Sequence, residues 1–305
     1  MNKLIDPSKF GVSYSLKMAR SFGMTTEETL GWLVQDAGFR RFRLMSYWDE
    51  HEKTPGEYNF FHLDKQVKMI AEAGGVITLC LGARQPRWPE NHWPDWAWEL
   101  SKAERTKALL RFIEEVVRRY RDNPAIISYQ LENEALLKDF GRRPEVDRHR
   151  LRDEFKLVKL LDPTRPIIMS TSTSWGIPLR QPIPDIVGFS YYQITYDGKR
   201  KRYSTAFHKP WMHRLRAALI RLLWRKPVFI HELQMEPWGP HGAKDMSFAD
   251  QDKSMGPPQI AKNLHLARTV NHYPIDLWGG EWWYWRHKNG DDSIWQAVQK
   301  SIQES

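Results

Sequence analysis

Short apolar runs alternate with amphipathic segments from one end of the chain to the other. Runs of strand character fall at 11–14, 39–45, 76–82, 125–132, 166–171, 185–192, 227–232 and 275–280. Between them, apolar residues recur at helical spacing. The clearest case is 102–121, where Leu109, Leu110, Phe112, Ile113, Val116, Val117 and Tyr120 share a face opposite charged positions. Further helices are predicted at 26–37, 62–73, 145–161, 211–225, 257–271 and 292–303. In 211–225, Met212, Leu215, Leu219, Leu222 and Leu223 form the face expected to lie on the strands, with Arg214, Arg221 and Arg225 on another.

Strands alternating with helices imply βα units and a parallel sheet. Eight strands without a linker predict an α/β fold, a single (β/α)8 barrel over residues 1–305. The fifth unit is curtailed, because IPLRQPIP between strands five and six carries three prolines and cannot hold a helix. An open doubly wound sheet would place a Gly-rich phosphate loop after the first strand, and GVSYSLKMARSFG contains none.

Composition narrows the chemistry. A single cysteine, Cys80, excludes an intrachain disulfide and a Cys-based metal cluster. His231-Glu232 continues as Leu-Gln-Met rather than toward a second His, so no metal and no cofactor are expected. The N-terminus lacks the apolar core of a signal peptide and no stretch has the length of a membrane span, so a cytoplasmic protein is expected. Fifteen tryptophans suit a site for ring-shaped ligands, or else a Trp-rich core. The whole net charge of +9 resides in one segment, 197–226. There Lys199, Arg200, Lys201, Arg202, Lys209, Arg214, Arg216, Arg221, Arg225 and Lys226 face Asp197 alone. Such a field attracts an anionic surface, and the other reading is a solvated helix face plus a basic loop. No specific nucleic-acid partner is expected.

Barrels carry their chemistry at the C-terminal ends of the strands. Here those ends bear Arg43 and Trp48, Gly82 to Trp88, Glu132-Asn133-Glu134, Ser190-Tyr191-Tyr192, His231-Glu232, and Glu281 to Trp285. Cleaving a glycosidic bond needs a proton donor and a second carboxylate at the anomeric carbon, at about 5–5.5 Å for retention and about 6.5–9.5 Å for inversion. Glu134 and Glu232, ending strands four and seven, form such a pair.

Several segments resemble the retaining glycoside hydrolases of clan A. ISYQLENEALLKDFG is similar to their fourth strand, and QLENE to that of the clan's β-galactosidases. FRLMSYWDEHEKTPGEYNFFHLDKQVKMIAEAGGVITLCLG resembles their second and third strands. DIVGFSYYQ, KPVFIHELQ and GGEWWYWR resemble the sixth, seventh and eighth strands, with endo-galactanases and β-glucosidases sharing the sixth.

The resemblance implies a retaining β-glycosidase acting on β-galactosides or β-glucans through a covalent glycosyl intermediate. It implies Glu134 as acid/base, Glu232 as nucleophile, Asn133 on the sugar 2-hydroxyl, Arg43 beneath Glu232 and Tyr192 donating to it. Trp285 or Trp283 would floor the reacting sugar. Trp48 and Trp88 are further candidates for the carbohydrate site. Where cellulase-like members end strand three in His, this chain has Gly82-Ala83-Arg84, and Ala135 follows the acid/base position. The alternatives are a carbohydrate-binding barrel without catalysis and a protein held on a polyanion or membrane surface by 197–226.

Overall fold

The computed structural model describes residues 4–138, 140–143, 145–173, 176–178 and 180–304. Eight parallel strands close into a barrel: β1 (Phe10–Tyr14), β2 (Arg41–Met45), β3 (Val76–Leu81), β4 (Ile126–Leu131), β5 (Ile167–Thr171), β6 (Ile186–Tyr191), β9 (Val228–Gln234) and β10 (Ile275–Trp278). Strand β10 returns to β1 through Ile275↔Phe10 and closes the ring. The expected (β/α)8 barrel is therefore present. Among the described residues no helix lies between β5 and β6, as the prolines predicted.

Two short strands, β7 (Ile194–Asp197) and β8 (Arg202–Thr205), form an antiparallel hairpin after β6. The backbone amides of Gln193 and Ile194 donate to Gln234 Oε1 at 2.8 and 3.0 Å, which ties the hairpin to the mouth end of β9. Helices α1 (Leu16–Ser21), α2 (Thr26–Gln35), α3 (Trp48–His51), α4 (Phe61–Glu72), α5 (Lys102–Tyr120) and α6 (Arg148–Leu161) flank the first half. The second half has α7 (Pro210–Trp224), α8 (Phe248–Met255), α9 (Pro257–Val270), α10 (Gly280–Lys288) and α11 (Ser293–Gln303).

Local chemistry explains the boundaries. Thr25 with Glu28 and Ser101 with Glu104 make reciprocal capping boxes that start α2 and α5. Each satisfies backbone donors that the first helical turn leaves open. Helix α5 then buries Leu109, Phe112, Ile113, Val116, Val117 and Tyr120 of the stripe its spacing predicted, and leaves Leu110 half-buried.

Helix α7 departs from expectation. Its buried residues are His213, Arg216, Ala217 and Ile220, while Leu215, Leu222 and Leu223 stand exposed. The wall it meets explains this inversion. Arg216 lies 3.7 Å over the Phe189 ring and donates to Ser172 O at 3.2 Å, beside β5, after which the described residues hold no helix. A long cation with a flat head reaches across that space, whereas a leucine is too short to do so.

The eighth barrel strand also ends sooner than its apolar run suggested. Gly279 has φ +145°, and a Cβ there would lie 2.5 Å from Met235 O, so only glycine makes this turn. Residues 280–288 are helical, which removes Trp283 and Trp285 from the strand end.

Candidate active site

At the end of β4 the chain twists twice into the left-handed region, at Glu132 (φ +45°) and Glu134 (φ +44°). Non-glycine residues rarely adopt it, and such strain gathers at functional sites. The first twist turns Glu132 under the loop after β3, where it accepts from Ala83 N at 3.2 Å and Arg84 N at 2.6 Å. Gly82 makes room, since a Cβ there would sit 2.8 Å from the Glu132 carboxyl. The second twist presents Glu134, whose Oε1 accepts from Ser190 Oγ at 2.7 Å, while Ser170 Oγ accepts from its amide at 2.9 Å. Burial first, and then the charge of Glu232, push the Glu134 carboxyl up to about 7.

Glu232 is buried at the mouth end of β9. Arg43 Nη1 donates to its Oε2 at 2.6 Å and Tyr192 OH to its Oε1 at 2.6 Å. Both carboxylate oxygens are thereby held in one orientation. Burial works against the Arg43 charge, but Glu232 outweighs it, and the guanidinium lies above its ordinary pKa. Arg43 is itself fixed by Gln130 Oε1 at 2.7 Å and Asn133 Oδ1 at 3.0 Å. Beneath them, His231 bridges Gln130 Oε1 at 2.8 Å and Asp276 Oδ2 at 2.7 Å. A hydrogen-bonded layer across four strands thus supports the carboxylate.

Asn133 is more heavily engaged than a sugar-binding residue need be. Its Oδ1 accepts from Arg43, from Gln130 and from Ser170 Oγ at 3.0 Å, and its Nδ2 donates to Glu90 Oε2 at 3.0 Å. One Nδ2 hydrogen is left for a ligand. Burial pushes Glu90 up to about 7 as well, opposed by the Asn133 hydrogen bond. Cys80 is packing, as expected, and burial raises its thiol to about 11.

The tryptophans divide differently from the sequence expectation. Trp48 is buried against Trp93, Trp96 and Phe112, behind β2. Trp283 is buried between Phe39 and Trp295, and Trp285 stacks on Phe22 at 5.0 Å. None of these three reaches the carboxylates, because helix α3 carries Trp48, and helix α10 carries Trp283 and Trp285, into the outer core. Trp278 instead ends the strand. It packs with Tyr192 and Met45 and lies 4.1 Å beneath the Arg87 guanidinium. Glu236 completes this group, accepting from Arg87 Nη1 at 2.6 Å and from Trp278 Nε1 at 2.8 Å. The double glycine after Trp278 was the available signal, since it breaks the strand one residue later.

Trp88 is exposed at the rim and begins an aromatic wall. Ring centroids run from Trp88 to Phe140 at 6.2 Å, to Trp238 at 5.6 Å and to Tyr192 at 5.6 Å. Phe140 and Trp238 carried no sequence signal, because both sit in irregular loops.

Residues 31–150 match the model of the β-galactosidase family of glycoside hydrolases (Glyco_hydro_42), a stretch that includes Arg43, Asn133 and Glu134. A β-galactosidase from the haloarchaeon Halorubrum lacusprofundi superposes with a TM-score of 0.64 at 14% identity, covering 97% of this chain and 58% of its own. The chain has the fold of a clan A glycoside hydrolase. The resemblance read from the sequence is borne out.

The GH5_18 protein from Streptomyces cattleya, solved with GlcNAc, matches at TM-score 0.65 and 11% identity over 98% of this chain and 80% of that one. An endo-β-1,4-xylanase of family GH10 from Gloeophyllum trabeum matches at 0.64 and 13% over 98% and 97%. Comparison with curated proteins returns no match. The chain spans little more than half the length of the Halorubrum β-galactosidase.

Proposed function

We propose that the chain is a retaining β-glycosidase, with Glu134 as acid/base and Glu232 as nucleophile. The observation that carries this reading is the unequal setting of the two carboxyls. Glu134 is pushed up to about 7 by burial and by its neighbour's charge, while Glu232 stands against a guanidinium and a phenol. Two carboxyls whose surroundings differ in this way divide acid and nucleophile roles between them. In the first step Glu134 gives its proton to the leaving oxygen as a Glu232 oxygen bonds to the anomeric carbon and the glycosidic bond breaks. In the second, Glu134 takes a proton from water, whose oxygen displaces Glu232 and frees the sugar.

The β-galactosidase family match over 31–150 makes a β-galactoside the first substrate to try, with β-glucans next. Asn133 would donate its remaining amide hydrogen to the sugar 2-hydroxyl. Trp278, with Arg87 and Glu236, would line the reacting subsite in place of Trp283 and Trp285. The wall from Tyr192 to Trp88 would hold further rings. A panel of chromogenic glycosides followed by oligosaccharide product profiles tests the substrate, and inactivity on every glycoside would overturn the proposal.

Three outcomes follow from the geometry. Because Glu134 must carry its proton in the first step, kcat/KM is expected to fall about tenfold per pH unit above about pH 7. Glu90 titrates in the same range, so Glu90→Gln should keep that limb while Glu134→Gln removes it.

Glu134→Gln should slow natural glycosides by about 10²–10⁴-fold but aryl glycosides with good leaving groups far less. Equal slowing of both would contradict an acid role.

Tyr192→Phe deletes the 2.6 Å hydrogen bond to Glu232 and is expected to cost about 10- to 100-fold in kcat, read from steady-state kinetics.

A further inference from the structure

Helix α7 presents an outer surface unlike that of α5. On α5 the exposed positions are Lys102, Ala103, Glu104, Lys107, Arg111, Glu115, Arg118 and Arg119, the mixed-sign coat of a solvated helix. On α7 the outward stripe reads Trp211, Leu215, Ala218 and Leu222, which follow one another at helical spacing, with Leu223 beside it. Trp211 is 59% exposed, Leu222 78% and Leu223 52%. Arg214, Arg221 and Arg225 edge this stripe and the helix contains no acid. Phe207, also exposed, extends the apolar strip toward the hairpin.

Charge on this helix and on the hairpin that precedes it in sequence is largely uncompensated. Arg200 pairs with Asp197 and Lys226 with Asp185, and Arg216 is buried. Lys199, Lys201, Arg202, Lys209, Arg214 and Arg225 are exposed and carry no ion pair among the described residues. Outward apolar side chains edged by arginines, with a tryptophan at one end, have the character of a helix lying in a membrane interface. Water alone gives no reason to expose leucines, and a polyanion alone gives no reason to surround the cations with them. The combination is complementary to a surface that is anionic outside and apolar just beneath.

We propose that the α7 face, with the β7–β8 hairpin, docks on an anionic lipid bilayer. Helix α7 runs antiparallel to the barrel strands, so its Trp211 end lies toward the mouth and its Arg225 end toward the opposite rim. Docking along its length, about 22 Å, sets the barrel edge-on and leaves the mouth open beside the headgroups. The proposal is independent of the glycosidase reading.

Co-sedimentation of the full chain with vesicles tests it. Phosphatidylcholine vesicles containing about 30% phosphatidylserine should bind at least about tenfold more chain than phosphatidylcholine alone. Raising salt from about 0.1 M to about 0.5 M should weaken this binding without abolishing it, because only the charge contribution is screened. Leu215→Ser/Leu222→Ser and Lys201→Glu/Arg214→Glu should each reduce binding at least about fivefold, with circular dichroism and thermal melts unchanged. Equal binding to both vesicle types, or none, overturns the proposal. So does binding that only the charge variant weakens, which would mark simple attraction to any polyanion. A concentration-dependent dimer dispersed by the leucine variant, with no vesicle binding, would assign the face to a second copy of the chain instead.

Discussion

Glu232→Gln is expected to lower kcat/KM by at least about 10⁴-fold while the chain stays folded. The substitution keeps the side-chain volume, and the amide oxygen still accepts from Arg43. Tyr192 turns from donor to acceptor. What disappears is the anionic oxygen that bonds to the anomeric carbon. A 2-deoxy-2-fluoro glycosyl donor should label the wild-type chain on the peptide containing Glu232, visible by mass spectrometry, and should leave Glu232→Gln unlabelled. NMR of the first-formed sugar anomer should show retention. Wild-type turnover by Glu232→Gln would remove the nucleophile assignment, and an inverted product would replace the covalent route with direct attack by water.

The second large effect concerns Arg43, and stability and activity separate there. Arg43→Met leaves the buried Glu232 without its cation and takes one donor each from Gln130 Oε1 and Asn133 Oδ1. Breaking a buried pair from one side costs about 3–5 kcal/mol, so the denaturation midpoint should fall steeply along with activity. The double variant Arg43→Met/Glu232→Leu removes both charges and should recover much of the stability, because no uncompensated charge then remains. Its activity should stay absent. If the double variant were as unstable as the single one, the Arg43 contacts to Gln130 and Asn133 would dominate its contribution rather than the pair with Glu232.

The organisation of the pair explains why activity and stability separate. Arg43 reaches from β2 to a carboxylate on β9 and is braced by Gln130 and Asn133 from β4 and the residues just after it. A cation that spans the barrel interior is costly to bury, and the network offsets that cost through four hydrogen bonds, to Gln130, Asn133, the His231 carbonyl and Glu232, the last of them also an ion pair. The preorganised layer holds Glu232 in place before any substrate arrives.

Much of this protein was determined by its sequence alone. The alternation of period-two and helical runs specified eight βα units, because strands and helices expose their apolar faces at different spacings. The prolines at 178, 182 and 184 argued against a fifth helix, since proline neither donates nor fits a helical interior, and the described residues hold none there. The strand-end rule brought Glu134, Glu232, Arg43, Asn133 and Tyr192 to one rim, and the structure places them in one hydrogen-bonded group.

What only the tertiary structure decided lies where a local pattern has two uses. Trp283 and Trp285 fit a strand end or a helix equally well in sequence, and the contact between Gly279 and Met235 settled the turn that made Trp278 the rim residue. The leucines of α7 fit a barrel-facing stripe, yet the partner wall required Arg216 and His213 inward and so turned the leucines out. Spacing says which residues share a face. Which way that face points depends on the shape and polarity of what it meets, and that is a property of contacts distant in sequence.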